Sequence, residues 1–407
     1  MANEAARRLM ARLDEFGGFT DEPGKLTRLY LSPAYARACE RFVEWAREAG
    51  LAAYIDAVGN VRARYEGRRP NAPALMIGSH IDTVRDAGRY DGNLGALAAL
   101  SIVEMLIERR ERLDFAIEIA AFGDEEGVRF PTTMTGSRAV AGVLDPTAFA
   151  AKDREGVKLG DALTAFGGSP LAWREAEARD VAAFVELHIE QGPVLEREGL
   201  AVGTVTAING ATRLEILVTG HAGHAGSVPM PLRRDALTAA AEMILAIEAR
   251  AARAPDLVAT VGQMEARPGA VNVIPGAARF SIDIRSPSEP RRKTAVADIV
   301  ASLREIAERR KVEIAVRATH EAPAFVCDPR IVAGFDAAAQ AVGEPVFHLP
   351  SGAGHDSMIL GRRWPAGMLF VRCQGGISHN PLESITTADC DTALAVLFAF
   401  VKDFRLA

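Results

Sequence analysis

Histidine and carboxylate side chains recur where short apolar runs of this chain end. His80 follows the run 74–78, and Asp82 lies two residues on. Asp91 sits in the glycine-rich turn Gly88-Arg89-Tyr90-Asp91-Gly92. Glu125 and Glu126 follow the run 115–122, and His188 ends the run that begins near 182. His379 follows the segment 368–371 through the loop Gln374-Gly375-Gly376-Ile377-Ser378. Imidazole and carboxylate are ligand types for zinc, and manganese accepts the same set. A carboxylate has two oxygens and can bridge two cations, and two cations about 3.5–4 Å apart can clamp a water and polarise a carbonyl. Because Glu125 and Glu126 adjoin, one can bind metal while the other takes a proton. Asp82 is placed to orient His80. Singly, each residue has a plainer reading. A lone histidine is more often a core or surface residue, and a glutamate pair is more often a solvated face. What favours a metal site is the recurrence of these groups at four successive strand ends.

For those groups to meet, the runs must be neighbouring parallel strands, because in open α/β sheets ligands gather outside the carboxyl ends of the strands. The pattern supports this. Strands are expected at 74–78, 115–122 and 182–187, and helices at 37–49 and 94–106. This alternation predicts an α/β sheet covered by helices. The middle of the chain changes character. Strand patterns at 213–219, 257–264 and 277–285 are interleaved with helical ones at 234–252 and 289–310. The order β–α–β–β–α–β fits a two-layer, ferredoxin-like α+β sandwich. The α/β pattern then resumes at 329–342, 368–371 and 387–404. The expected organisation is a catalytic domain of residues 1–208 and 319–407, its mostly parallel sheet flanked by helices, interrupted by a smaller domain at 209–318.

The composition narrows the field. The 407 residues are 49% hydrophobic and 25% charged, an ordinary globular balance with material for a sizeable core. A net charge of −6 offers no basic footprint for nucleic acid. Cys39, Cys327, Cys373 and Cys390 show no CxxC pairing, so no disulfide framework is expected. No apolar run approaches the roughly 20 residues that span a bilayer, and residues 1–14 lack the apolar stretch of a secretory signal. A cytoplasmic location is expected.

Four segments carry a resemblance. Gly78-Ser79-His80-Ile81-Asp82-Thr83-Val84, the turn 88–95 and Asp124-Glu125-Glu126-Gly127 resemble the M20 metallopeptidase and amidohydrolase superfamily. Glu186-Leu187-His188-Ile189-Glu190-Gln191-Gly192-Pro193 resembles its hydantoinase/carbamoylase branch, which hydrolyses ureido compounds: allantoate amidohydrolase, N-carbamoyl-L-amino acid hydrolase and β-ureidopropionase. The peptidase branch has a carboxylate where this chain has His188.

The resemblance implies that His80, Asp91, Glu126, His188 and His379 hold two divalent ions, Zn2+ or Mn2+, with Asp91 bridging. It makes Glu125 the general base and later the acid, with Asp82 supporting His80. It implies that His224, in Gly223-His224-Ala225-Gly226, reaches the active site of a partner subunit and stabilises the oxyanion. The protein would then be a homodimer, with 209–318 as its lid and dimerisation domain. From the residues alone, His224 reads as a capping or surface histidine, with His221 as its close competitor. Asn272 and Arg285 match the substrate-binding pair, Gln191 would contact the ureido group, and Gly354 and His355 would line the pocket. The expected reaction is hydrolysis of the carbamoyl C–N bond of a small acidic substrate, with allantoate leading and N-carbamoyl-L-amino acids close behind. An M20 dipeptidase or aminoacylase is the next reading. A non-catalytic metal-binding protein comes last, because it would have no need of Glu125.

Overall fold

The computed structural model describes residues 2–406. They divide into two compact units. The larger takes the chain up to Thr206, then Cys327–Leu349, and everything from Ala353 on; the smaller takes Ala207–Val326 and Pro350–Gly352. The strands in chain order are β1 (Ala52–Ile55), β2 (Val61–Tyr65), β3 (Ala74–His80), β4 (Ala116–Phe122), β5 (Val181–Ile189) and β6 (Val202–Ile208). The smaller unit supplies β7 (Gly210–Thr219), β8 (Gly223–His224), β9 (Val258–Thr260), β10 (Met264–Arg267), β11 (Val273–Ile274), β12 (Ala277–Ser286), β13 (Glu313–Ala322) and β14 (Phe325–Val326). The chain returns through β15 (His348–Ser351) and β16 (Ala366–Val371).

In the larger unit the sheet runs β1-β2-β4-β3-β5-β16-β6. Its centre, β4-β3-β5-β16, is parallel throughout. Antiparallel pairs flank it on both sides. Every residue of β3 and β16 is buried, which is why these strands read as unbroken apolar runs. The helix Asn93–Glu108 packs on β3, β4 and β5, Thr387–Asp403 packs on β16, and the two helices touch. Because the four central strands run the same way, their carboxyl ends share one edge. The helix expected at 37–49 starts one turn earlier, at Pro33. Ser32 caps it by accepting Tyr35 N–H, and proline at the first helical position suits a helix start. No helix among the described residues is long and apolar enough to cross a membrane. The four cysteines are buried and unpaired.

The smaller unit is an antiparallel sheet, β10-β12-β7-β13, with β9 also on β12. The helices Ala236–Ala251 and Glu289–Arg310 complete a βαββαβ chain order. Leu214, Ile216 and Val218 of β7 and Phe280, Ile282 and Ile284 of β12 form one core with Ala239, Met243, Ile299 and Leu303 of those helices. Two expectations need correction. The strand expected at 257–264 is broken: β9 pairs with 283–285 of β12, and β10 pairs with 277–280. Around the break, Gln263 N–H turns to the Ser281 hydroxyl. The boundary expected at 318 falls inside β13, whose pairing with β7 continues to Ala322.

Phe335 and Phe400 stack at 4.2 Å in the larger unit's core, and Phe335 is fully buried. Phe335→Ala should lower that unit's unfolding free energy by about 3–5 kcal/mol, read as a fall in the urea midpoint at unchanged slope.

Candidate active site and metal centre

The parallel strands deliver their ends to one place. His80 is the last residue of β3 and His188 the penultimate residue of β5, and their rings lie 5.7 Å apart. Each imidazole is held from behind by a carbonyl: His80 Nδ1 meets Asp82 O at 3.0 Å, and His188 Nδ1 meets Ile189 O at 2.9 Å. A carbonyl can only accept, so each Nδ1 carries a proton and Nε2 is left to face the site. Both Nε2 atoms face Asp91 Oδ1, at 3.5 Å from His80 and 3.1 Å from His188. The other oxygen, Oδ2, lies 3.1 Å from His379 Nε2, which in turn lies 3.5 Å from Glu126 Oε1.

Donor atoms of His80, Asp91 and His188 lie within 4.8 Å of one another, and so do those of Asp91, Glu126 and His379. The two groups share Asp91 and present one of its oxygens to each. This donor set fits a pair of divalent cations: neutral imidazole and carboxylate, with His80 and His188 oriented by hydrogen bonds from behind. Gly92 keeps the arrangement open. It has φ +65°, and a Cβ there would lie 2.4 Å from the His80 ring.

The electrostatics follow from the crowding. Burial pushes Asp91 up, but hydrogen bonds from His188, His379 and His80 outweigh it and hold the carboxyl well below its ordinary range. Burial pushes His80 down, but Asp91, Glu125 and Asp82 together raise it well above its usual value. The Asp91 contact raises His379 to about 9. Burial, with Asp91 adding to it, raises Glu126 to about 7. Removal from water raises Glu125 well above the usual carboxylate range, opposed by His80 and reinforced by Glu126 and Asp356.

Asp82 acts differently from expectation. It is its main-chain carbonyl that holds His80, while the carboxylate Oδ1 stays 3.9 Å from Nδ1. The carboxylate instead accepts Glu125 N–H at 3.1 Å and Glu126 N–H at 3.2 Å, fixing the loop that carries both glutamates. Gln191 donates to Asp91 Oδ2 at 2.9 Å, while its own Oε1 is buried without a partner among the described residues. His355 is buried with its ring 4.5 Å from that of His188, and Gly354 precedes it in the same loop.

The remaining three residues belong to the smaller unit. There, His224 in β8 pairs with Val273 of β11, and Asn272 O accepts Ala225 N–H, so His224 and Asn272 are neighbours. His224 is exposed, and its Nδ1 accepts Gly226 N–H at 3.1 Å. Arg285 closes its fork on Asp283, with both contacts at 3.0 Å, and gives a third bond to Gly352 O.

Sequence reasoning passed over Ser378 and Glu383. Ser378 Oγ is 3.0 Å from both Asp91 Oδ2 and Glu383 Oε2. A signal existed: both residues share the loop of His379. Reasoning also passed over Asp124, which at φ +65° accepts Thr132 and Thr135 hydroxyls.

Peptidase family M20/M25/M40 matches residues 76–403. The chain is 38% identical over 427 residues to allantoate deiminase 1 of Glycine max, covering 97% of this chain and 88% of that protein. It is 41% identical over 394 residues to the N-carbamoyl-L-amino acid amidohydrolase of Geobacillus stearothermophilus, covering 96% of each. Among solved structures, a hydantoinase/carbamoylase family amidase from Burkholderia multivorans matches with a TM-score of 0.93 at 34% identity, over 98% of this chain and 97% of that one. This protein belongs to peptidase family M20/M25/M40. Within that metal-dependent family it is a hydrolase of carbon–nitrogen bonds.

Cations and protons compete for these imidazoles. In chelator-treated protein, protonated His379 stabilises the fold below its ordinary pKa of 6.5, and that contribution is lost as pH rises through about 9. Metal affinity should rise over the same window, and metal uptake at neutral pH should release protons. Calorimetry in buffers of different ionisation enthalpy measures that release; uptake without it would exclude His80 and His379 as ligands.

Proposed function

We propose that the protein hydrolyses the ureido C–N bond of a small acidic substrate, with allantoate as the first candidate, and releases ammonia and carbon dioxide. The observation that carries this reading is the sharing of Asp91 between two donor groups, with Glu125 beside them. His80 and His188 with Asp91 would hold one divalent ion, and Glu126 and His379 with Asp91 the second, as Zn2+ or Mn2+. Ions held there supply Lewis acidity for the substrate carbonyl and lower the pKa of a water.

The chain's own residues do the rest. Glu125 takes the proton of the attacking water on its carboxylate and returns it to the departing nitrogen. The unpartnered Gln191 Oε1 is an acceptor for a ureido N–H. His224 of a second copy donates to the carbonyl oxygen as charge develops there, so the active unit is a homodimer. Arg285 receives the substrate carboxylate in its fork, exchanging Asp283 for it, and Asn272, which neighbours His224, is a further substrate contact. The smaller unit serves as lid and dimerisation unit, and its closure excludes water. A second reading, an N-carbamoyl-L-amino acid as substrate, is favoured by the 41% identity to the bacterial amidohydrolase.

Ammonia release by manganese-loaded protein from allantoate, N-carbamoyl-L-methionine and N-carbamoyl-β-alanine separates the readings. Release from one should fall at least ~100-fold in Glu125→Gln with metal retained. Silence on all three, with metal bound, would turn the search to dipeptides and N-acyl amino acids.

Subunit mixing tests the trans histidine. Glu125→Gln and His224→Ala proteins are each inactive on this reading. Their mixture should regain about a quarter of wild-type activity, because half the dimers are hybrids with one intact site. No recovery after verified exchange would place His224 in its own subunit's chemistry or in none.

A further inference from the structure

Beneath Asp91 lies a carboxylate that the proposed chemistry does not use. Glu383 is four residues beyond His379 and only 4% exposed. Its Oε1 accepts the main-chain N–H of Tyr90 at 2.8 Å and of Asp91 at 3.1 Å. Its Oε2 lies 3.0 Å from Ser378 Oγ, which lies 3.0 Å from Asp91 Oδ2. One side chain therefore grips Asp91 at both ends, directly at the main chain and through one hydroxyl at the carboxylate. Gly88 makes room for it: a Cβ there would lie 2.3 Å from Glu383 Cβ.

A buried ionisable group is costly unless it is hydrogen-bonded, and an apolar side chain would fill the same space without that cost. Filling space does not account for Glu383. Positioning does. The terminal torsion of an aspartate is broad and two-fold, so nothing intrinsic to Asp91 makes Oδ1 face His80 and His188 while Oδ2 faces His379. We propose that Glu383 is a positioning residue that fixes the main chain and the carboxylate plane of Asp91, so that its two oxygens serve two cations. This rests on the reading of Asp91 as the shared ligand.

The test is Mn2+ titration of chelator-treated full-length protein, following the free-ion electron paramagnetic resonance signal, with kcat and KM beside it. Glu383→Ala should weaken Mn2+ binding by ~10–100-fold and lower kcat, with KM changed no more than ~2-fold because Glu383 touches no substrate. Glu383→Gln should stay within ~3-fold of wild type, since its amide oxygen accepts both N–H groups and its NH2 reaches Ser378. Ser378→Ala, which cuts only the link to the carboxylate, should fall between them. Wild-type affinity in a natively folded Glu383→Ala overturns the proposal, and so does a Glu383→Gln as damaged as the alanine variant. If Glu383→Ala does not fold, wild-type affinity in Ser378→Ala overturns it. Asp91→Asn separates the two levels. Undiminished Mn2+ binding there removes the metal reading and this proposal together, whereas a loss there but not in Glu383→Ala removes this proposal alone.

Discussion

Three imidazoles, the Gln191 amide and the Ser378 hydroxyl converge on the carboxylate of Asp91, which is 4% exposed. Taking an ionised carboxylate out of water costs several kcal/mol even after relaxation, and here the cost is offset by histidines at both oxygens. The direction of its pKa records the outcome: burial alone would raise it, and the histidines bring it well below the ordinary range. The sheet exists in this form because those histidines must arrive from different strands. β3 brings His80, β5 brings His188, and the loop after β16 brings His379. Had any of these strands run the other way, its histidine would sit at the opposite edge.

The same demand explains where the backbone departs from easy conformations. Asp124, Gln191 and His379 all have positive φ, at 65°, 57° and 55°, although none is glycine. Such conformations cost about 1–3 kcal/mol each and persist only where surroundings over-determine them. The surroundings here are specific. Asp124 is held by two threonine hydroxyls, Gln191 by Asp91 and Ser378, and His379 by Asp91. All three stand in loops just beyond parallel strands, where the chain must turn sharply to aim a side chain back across the sheet edge.

What could be read in the sequence was whatever leaves a one-dimensional trace. Strands buried on both faces leave apolar runs, so β3, β4, β5 and β16 were legible, and so were the chemical groups placed just past them. The break between β9 and β10 left no such trace in the apolar pattern: both halves pair with the same partner strand, with the register shifted by one residue between them. The early start of the first capped helix was written in Ser32-Pro33, a signal that the apolar periodicity overshadowed. Asp82 was legible as a residue of the site but not in its manner of acting. Spacing cannot say whether a carbonyl or a carboxylate faces the imidazole, and here the carbonyl does. Glu383 was hidden because its partners Tyr90 and Asp91 lie nearly three hundred positions earlier in the chain.

The identity of residue 188 bears on what kind of substrate the site suits. On the proposed reading, the ligands of the two cations are two carboxylates, Asp91 and Glu126, and three imidazoles. A carboxylate in place of His188 would add one more negative charge to the set. With imidazole there, a cation pair would keep more of its charge, and an anionic substrate would gain from the difference. His80, Asp91 and His188 are buried, so charge held among them is screened less than at a surface. On the same proposed reading, Arg285 would add a second, more directional term. Its fork is already satisfied by Asp283, so a neutral ligand that displaced Asp283 would leave a guanidinium unpaired, whereas a carboxylate replaces the lost bonds in kind. Selectivity for acids would then arise less from how tightly Arg285 holds the right substrate than from what any other would leave unpaired.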